Sequence, residues 1–190
     1  SFLSSSSFSA SSSSFSSSSF PSSFSVSSHG NKHGSYSHPA LTAVFCANNG
    51  NHIIEAVRAS EELQDILGTE WLSRLGQRVE EHLDAYITAA WGKALAAMGS
   101  GGPEPSSLTD KQRQVIKDKF SAVNAAVDEA QRHHPTWSVP DADLRARLLG
   151  RLTREVIPAY RVLHDRYALS GFTRKNPHKY IVHTPQGLEA

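Results

Sequence analysis

The chain has 190 residues, a formal net charge of +1 and one cysteine. This length allows one domain and a tail, and the single cysteine excludes an internal disulfide and fits a reducing compartment. The near-neutral charge gives no indication of a partner, and no stretch reaches the roughly 18 apolar residues that a membrane-spanning helix requires.

Residues 1–37 are a serine-rich, low-complexity tract. Such a composition buries too little apolar surface to offset the entropy of ordering the backbone, so we predict a disordered tail. A serine-rich, acid-poor start loosely resembles an organellar transit peptide, but the tract has no arginine and no amphipathic period. We therefore favour disorder over targeting.

The pattern becomes helical at Pro39. Ser60 is the expected N-cap of a short second helix that ends at Gly68, because acidic residues follow the cap on the first turn. The triplet 48–50, Asn-Asn-Gly, predicts a weak point in the first helix. That helix is expected to bury Leu41, Phe45, Ile53, Ile54 and Val57 on one face.

Two longer helices follow, separated by a flexible linker at 99–107 that is rich in Gly, Pro and Ser. The first runs from Thr69 to about Met98. The second begins with a capping box formed by Thr109 and Gln112, and it stops at Pro135. Apolar residues recur at steps of three and four in both: Leu72, Leu75, Val79, Leu83, Ile87, Trp91 and Leu95, then Ile116, Phe120, Val123, Val127 and Ala130.

Asp141 is the predicted N-cap of the next helix, in which Pro158 should produce a kink. Its apolar stripe comprises Leu144, Leu148, Leu152, Val156, Tyr160, Leu163 and Tyr167. Thr184 and Pro185 predict the start of a last helix that is cut short at Ala190. No alternating strand pattern is present, so the sequence predicts an all-α antiparallel helical bundle over residues 38–190, with part of its apolar surface left uncovered.

The sequence lacks the motifs of common enzymes and metal sites. It contains no G-x-S-x-G, no P-loop and no dinucleotide fingerprint, and serines in an unstructured tract cannot hold a nucleophile's geometry. Its ten histidines include no HExxH motif and no ligand-like spacing with a carboxylate. We predict no catalytic residue, no cofactor and no metal site, with the histidines exposed at loops and helix ends.

The end of the chain is basic. From 161 to 183 there are five Lys or Arg residues and one acid, the basic residues being Arg161, Arg166, Arg174, Lys175 and Lys179. Near an anionic lipid surface each contributes about 1 kcal/mol, which suits reversible peripheral binding. From charge alone, a solvated face is equally compatible. Nucleic-acid binding is disfavoured, because no recognition-helix or base-stacking pattern accompanies the charge.

Five blocks of the sequence occur in an order that resembles the C-terminal part of the seventy-kilodalton exocyst protein family, especially its plant members. The blocks are NNGNHIIEAVRASEELQDILGTEWL, HLDAYITAAWGKAL, KQRQVIKDKFSAVNAAVDEAQRHHPTWSVPDADLRARL, EVIPAYRVLHDRY and KNPHKYIVHTPQGLEA. The resemblance covers about Pro39 to Ala190, and the IPAYR and NPxKYI elements are its most specific parts.

The resemblance implies the distal end of a rod of helical bundles in a non-enzymatic protein that tethers secretory vesicles. The implied partners are other exocyst subunits, Rho-type GTPases and phosphatidylinositol 4,5-bisphosphate, at a cytoplasmic location on the plasma membrane. Lys175 and Lys179 match basic positions of the family's lipid-binding motif. The family has a further Lys where this chain has Val182, so the alternative is a protein-interaction module or decoy that has lost lipid binding.

Overall fold

The computed structural model describes residues 38–133, 137–173 and 176–189. These residues form helices and loops without a strand, which confirms the all-α prediction. The predicted disorder of residues 1–37 lies outside the described residues. The elements are α1 (Pro39–Arg58), α2 (Glu61–Gly99), α3 (Asp110–His133), α4 (Ala142–Tyr167), a 3₁₀ turn (Pro177–Lys179) and α5 (Pro185–Glu189).

The helix starts predicted from the sequence are confirmed by their hydrogen bonds. The side-chain oxygens of Ser60, Asp141 and Thr184 each accept from the amide three residues later, at 3.3, 2.7 and 3.1 Å. Thr109 and Gln112 form the reciprocal capping box, in which each side chain accepts from the other residue's amide at 2.8 and 3.3 Å. These bonds satisfy amides that have no partner within their helix.

A break at Gly68 divides α2 into the predicted short and long segments. Gly68 has φ 77° and ψ 163°, a backbone conformation in which residues with a Cβ are strained. The long segment then buries the predicted stripe from Val79 to Trp91, together with Tyr86, Ala94 and Met98. The prediction of a helix end at Gly68 is therefore confirmed.

The predicted buried face of α1 is partly wrong. Ile54 and Val57 are buried, but Phe45 and Ile53 are each 45% exposed. The helix also continues through the predicted weak point at 48–50, because Gly50 lies where α1 and α2 approach each other closely. A Cβ added to Gly50 would lie 2.7 Å from Val79 Cγ2. The face of α1 that packs against α2 is therefore built largely from small residues, which include Ala40, Ala43, Ala47 and Gly50.

Successive helices run in alternating directions. Gly50 of α1 lies against Val79, and Val44 shares a pocket with Tyr86, so residue numbers fall along α1 as they rise along α2. Glu80 of α2 contacts Arg147 near the start of α4, while the ends of the same two helices share another pocket. Helices α2 and α4 are thus parallel, which is the arrangement of an up-and-down bundle.

The core combines the stripes of all four long helices. The predicted stripes of α3 and α4 are largely buried, and α4 continues through Pro158 to Tyr167. The largest fully buried side chains are Tyr86, Tyr160, Tyr167, Phe120, Phe172, Leu83, Ile116 and Leu144. No helix among the described residues has the length and apolar composition needed to cross a membrane.

Side chains of α3 and α4 hold the predicted linker at its start. The buried ammonium of Lys119 donates to the carbonyl oxygens of Ala97, Ser100 and Gly101 at 2.8, 2.9 and 2.6 Å. The Tyr167 hydroxyl donates to Pro103 O at 2.9 Å. Lys119 thereby satisfies carbonyls at the C-terminal end of α2, where a cation is favoured by the helix dipole.

Candidate functional site

The basic end of the chain is fixed to the bundle by an aromatic anchor. Phe172 is 1% exposed, and its ring stacks on Phe120 of α3 with a centroid separation of 5.3 Å. The Tyr180 ring then meets Phe172 edge-on at 6.1 Å. Burial of these rings contributes favourable free energy, so Phe172 and Tyr180 are held against α3.

Hydrogen bonds from the bundle also reach the backbone of the terminal segment, which comprises the described residues between 171 and 183. Arg113 donates to Gly171 O, and Asn124 Nδ2 donates to Tyr180 O at 2.9 Å. The Tyr160 hydroxyl donates to His183 O at 2.6 Å. Burial raises the pKa of Tyr160 to about 12, so this hydroxyl keeps its proton at physiological pH. Both α3 and α4 therefore position the segment.

A tight turn directs Lys179 outward. Asn176 adopts a left-handed conformation with φ 55°, which asparagine tolerates better than most residues. The 3₁₀ turn of Pro177–Lys179 follows, and the Tyr180 amide closes it by donating to Pro177 O at 3.0 Å. Lys179 is exposed at the end of this turn.

Residues 172–173 and 176–180 and the first turns of α3 line an open groove of about 470 Å³, which we name the basic groove. It is lined by Asp110, Arg113, Lys117, Phe172, Thr173, Asn176, Lys179 and Tyr180. Three of these side chains are cationic and one is anionic. The groove thus combines excess positive charge with an aromatic floor.

Two cations of the groove face an aromatic ring. Lys117 Nζ and Lys179 Nζ lie over the Tyr180 ring, at 5.7 and 5.9 Å from its centroid. Within the described parts of the chain, neither lysine has an ion-pair partner. Arg113 approaches its nearest carboxylate, Asp110, at only 4.0 Å, and that carboxylate is almost fully exposed. Such an arrangement suits a phosphate-bearing ligand, since ammonium and guanidinium groups donate well to phosphate oxygens.

The structure separates the predicted lipid-binding residues. Lys179 lines the basic groove, but Arg161 forms an ion pair with Glu189, at another depression beside α5. Arg166 donates to Gly102 O, within the linker, at 3.1 Å. The other two predicted residues, Arg174 and Lys175, lie outside the described residues.

Sequence reasoning missed the contribution of α3 to this site. Arg113 and Lys117 lie on a helix whose charges are nearly balanced, so they resemble an ordinary solvated face. Their four-residue spacing places them on the same side of α3. That spacing was the only signal available in the sequence, and it gave no indication that the distant segment would pack beside them.

The prediction that the histidines are exposed is wrong for His38 and His133. Half-buried His38 and His133 meet Glu129, and one ligand atom from each lies within 4.8 Å of the others. In the described part of the chain this is the one group of three His, Cys, Asp or Glu residues that is close enough to hold a metal ion. The sequence gave no metal-site spacing, because His38 and Glu129 are 91 positions apart.

Comparison with known proteins identifies the family of this fold and sequence. Residues 30–190 match the family model for the C-terminal part of the Exo70 exocyst complex subunit. The chain is 33% identical to exocyst complex component EXO70A1 of Arabidopsis thaliana, over 83% of this chain and 26% of that protein. It is 31% identical to human exocyst complex component 7, over 77% of this chain and 20% of that protein.

The fold has a counterpart among solved structures as well. A chain from the structures of exocyst subunit Exo70p and the Exo84p C-terminal domains matches with a TM-score of 0.62 and 25% sequence identity. The match covers 83% of this chain and 29% of that chain. The chain thus spans about a quarter of the length of the relatives it matches. It belongs to the Exo70 family of exocyst subunits and corresponds to the family's C-terminal region.

Proposed function

We propose that this chain acts as part of a non-enzymatic exocyst subunit that tethers secretory vesicles at the plasma membrane. Membership of the Exo70 family supports this role. The proposed partners are other exocyst subunits and Rho-type GTPases, and the proposed location is the cytoplasmic face of the membrane. Because the chain spans only about a quarter of its relatives, the proposal concerns the part that these residues play.

The proposed part is binding of phosphatidylinositol 4,5-bisphosphate through the basic groove. The observation that carries this proposal is the pair of lysines beside Tyr180, Lys117 and Lys179, which have no ion-pair partner among the described residues. Arg113 adds a third cation to the same cavity. Arg174 and Lys175 are proposed to add to the attraction, since they immediately precede Asn176 in the sequence. Arg161 and Arg166 are proposed as secondary contacts, because each already has a partner in the bundle.

Electrostatics sets the expected strength of this binding. Each basic residue near an anionic leaflet contributes about 1 kcal/mol. The three cations of the groove therefore supply about 3 kcal/mol, which corresponds to roughly a hundredfold difference in affinity between anionic and neutral membranes. Such binding is reversible, and it is consistent with a subunit that also depends on protein partners.

Vesicle flotation tests the proposal directly. The full chain is mixed with phosphatidylcholine vesicles, with or without phosphatidylinositol 4,5-bisphosphate, and the fraction that floats is measured. We expect recovery on the phosphoinositide vesicles only. The double variant Lys117→Glu with Lys179→Glu should lose this recovery, because it replaces two cations of the groove with anions.

A charge-matched control separates the groove from general electrostatics. Lys93→Glu with Arg154→Glu makes the same change in net charge at exposed positions that do not line the groove. This control should retain most of the binding. Equal loss in both double variants, or equal recovery of the parent chain on neutral vesicles, would contradict a phosphoinositide site in the groove.

The second candidate function is a protein-interaction module without lipid binding. The observation that favours it is Val182, an apolar side chain that is 56% exposed beside the groove segment. If this function is correct, the immobilised parent chain and the immobilised variant with Lys117→Glu and Lys179→Glu should recover other exocyst subunits from a lysate equally well. Failure to recover any exocyst subunit would count against it.

A further inference from the structure

The start of α1 and the last turn of α3 bring three metal-binding side chains together. His38, Glu129 and His133 each present one ligand atom, and these atoms all lie within 4.8 Å of one another. We propose that these side chains bind one zinc-type divalent transition-metal ion. The site is separate from the basic groove, because Lys117 and Glu129 are about 18 Å apart along α3 at 1.5 Å per residue.

Two of the ligands come from one face of a single helix. Glu129 and His133 are four residues apart on α3, and side chains with this spacing lie next to each other. His38 approaches from the residue that precedes α1, and its Nε2 lies 2.9 Å from Glu129 Oε1. The ring centroids of His38 and His133 are 5.2 Å apart. A metal here would connect the first helix of the bundle to the end of the third.

The separations are compatible with coordination after a small movement. Zinc binds imidazole nitrogen and carboxylate oxygen at about 2.0–2.1 Å, so tetrahedral ligand atoms lie about 3.3 Å apart. The ligand atoms here are at most 4.8 Å apart, so the two most distant ones would have to approach each other by at most about 1.5 Å. The side chain of Glu129 is 50% exposed, which leaves room for it to rotate and for a solvent ligand.

An aromatic ring helps to position the two histidines. Trp137 packs against both imidazoles, with its centroid 5.2 Å from His38 and 6.0 Å from His133, and so restricts their rotation. Two imidazoles with one carboxylate suit Zn²⁺ better than Ca²⁺ or Mg²⁺, which prefer all-oxygen sites.

Isothermal titration of the full chain with ZnCl₂, in a buffer that does not bind metal, tests the proposal. We expect one saturable site per chain. His38→Ala, His133→Ala and Glu129→Gln should each weaken binding by about tenfold or more, because even changes outside the ligand set cost about 10- to 100-fold. The control is His52→Ala, which removes an exposed histidine of α1 and should leave binding unchanged.

Cobalt provides a second readout that reports coordination geometry. Co²⁺ added to the parent chain should give the visible absorption of a four- or five-coordinate ion, and Glu129→Gln should reduce it. This variant keeps the size of the side chain, so circular dichroism in metal-free buffer should match the parent. Unchanged zinc affinity in Glu129→Gln, or equal weakening in His52→Ala, would show adventitious binding by the ten histidines and overturn the proposal.

Discussion

Replacement of Lys119 by Met should destabilise the bundle more than any other exchange of a single lysine on α3. Lys119 is 5% exposed, and its ammonium has four oxygen acceptors within 3.0 Å: Ala97 O, Ser100 O, Ser100 Oγ and Gly101 O. Methionine has similar length and no donor. The variant therefore leaves the carbonyls at the end of α2 without the cation that satisfies them.

The expected loss is about 2–4 kcal/mol. Hydrogen bonds to a charged group contribute about 1.5–3 kcal/mol each, and an ammonium has only three N–H donors to share among its acceptors. Desolvation opposes this gain: burial, and secondarily the charge of Arg166, lowers the pKa of Lys119 from its ordinary value of 10.5. The net loss is therefore smaller than the sum of the removed hydrogen bonds, because the variant also recovers the cost of desolvating the ammonium.

Urea unfolding of the full chain, followed by circular dichroism at 222 nm, measures this loss. The matched control is Lys111→Met, since Lys111 is exposed on the first turn of the same helix and should change stability by less than about 0.5 kcal/mol. A loss below about 0.5 kcal/mol for Lys119→Met would refute the reasoning. It would mean that solvent satisfies the linker carbonyls as well as the lysine does.

Three further predictions concern the groove, a helix crossing and an ion-pair network. Val182→Lys should raise affinity for phosphoinositide vesicles about fivefold in flotation, since an exposed lysine there adds about 1 kcal/mol; unchanged recovery would argue against a membrane beside this segment. Gly50→Ala should cost about 1–3 kcal/mol in urea unfolding, because its Cβ would meet Val79, whereas Gly76→Ala, with open space around it, should not destabilise. Burial raises the pKa of Glu80, but its two arginine partners on α4 outweigh burial and lower it below 4.5. Its stabilising contribution should therefore be complete above about pH 4.5, and the advantage over Glu80→Gln should fall as pH drops through the lowered pKa; an advantage that does not change with pH would be inconsistent with this linkage.

Local chemistry accounts for what the sequence predicted correctly. The caps at Ser60 and Asp141 depend on residues three positions away, and the break at Gly68 depends on one residue's backbone freedom. The apolar stripes of α3 and α4 follow from helical period alone. These features need no knowledge of how the helices pack, so composition and spacing suffice for them.

The features that the sequence did not predict depend on packing between distant parts of the chain. Phe45 is exposed because α1 packs closely on α2 through a face of small residues. The size of the residues therefore determines which face of α1 is buried more than their hydrophobicity does. Lys117 joins Lys179 only because Phe172 places the terminal segment against α3. Each of these contacts joins residues that are far apart in the sequence, so helical period and local spacing carried no information about them.

The resemblance to the exocyst family in five sequence blocks was confirmed by the family match and by the fold. Its implied lipid site remains a prediction. The structure sharpens that prediction, because it assigns Lys179 to a defined cavity and adds Arg113 and Lys117 to it. It also separates Arg161 and Arg166 from that cavity, each with its own partner in the bundle.

The most direct test of the phosphoinositide site is a map of backbone amide chemical shifts as short-chain phosphatidylinositol 4,5-bisphosphate is added to the isotopically labelled chain. The basic groove predicts saturable shift changes concentrated at residues 110–117 and 172–180, with smaller changes around the secondary contacts Arg161 and Arg166 on α4. Changes centred on Arg161 and Arg166, or the absence of any saturable change, would contradict the account.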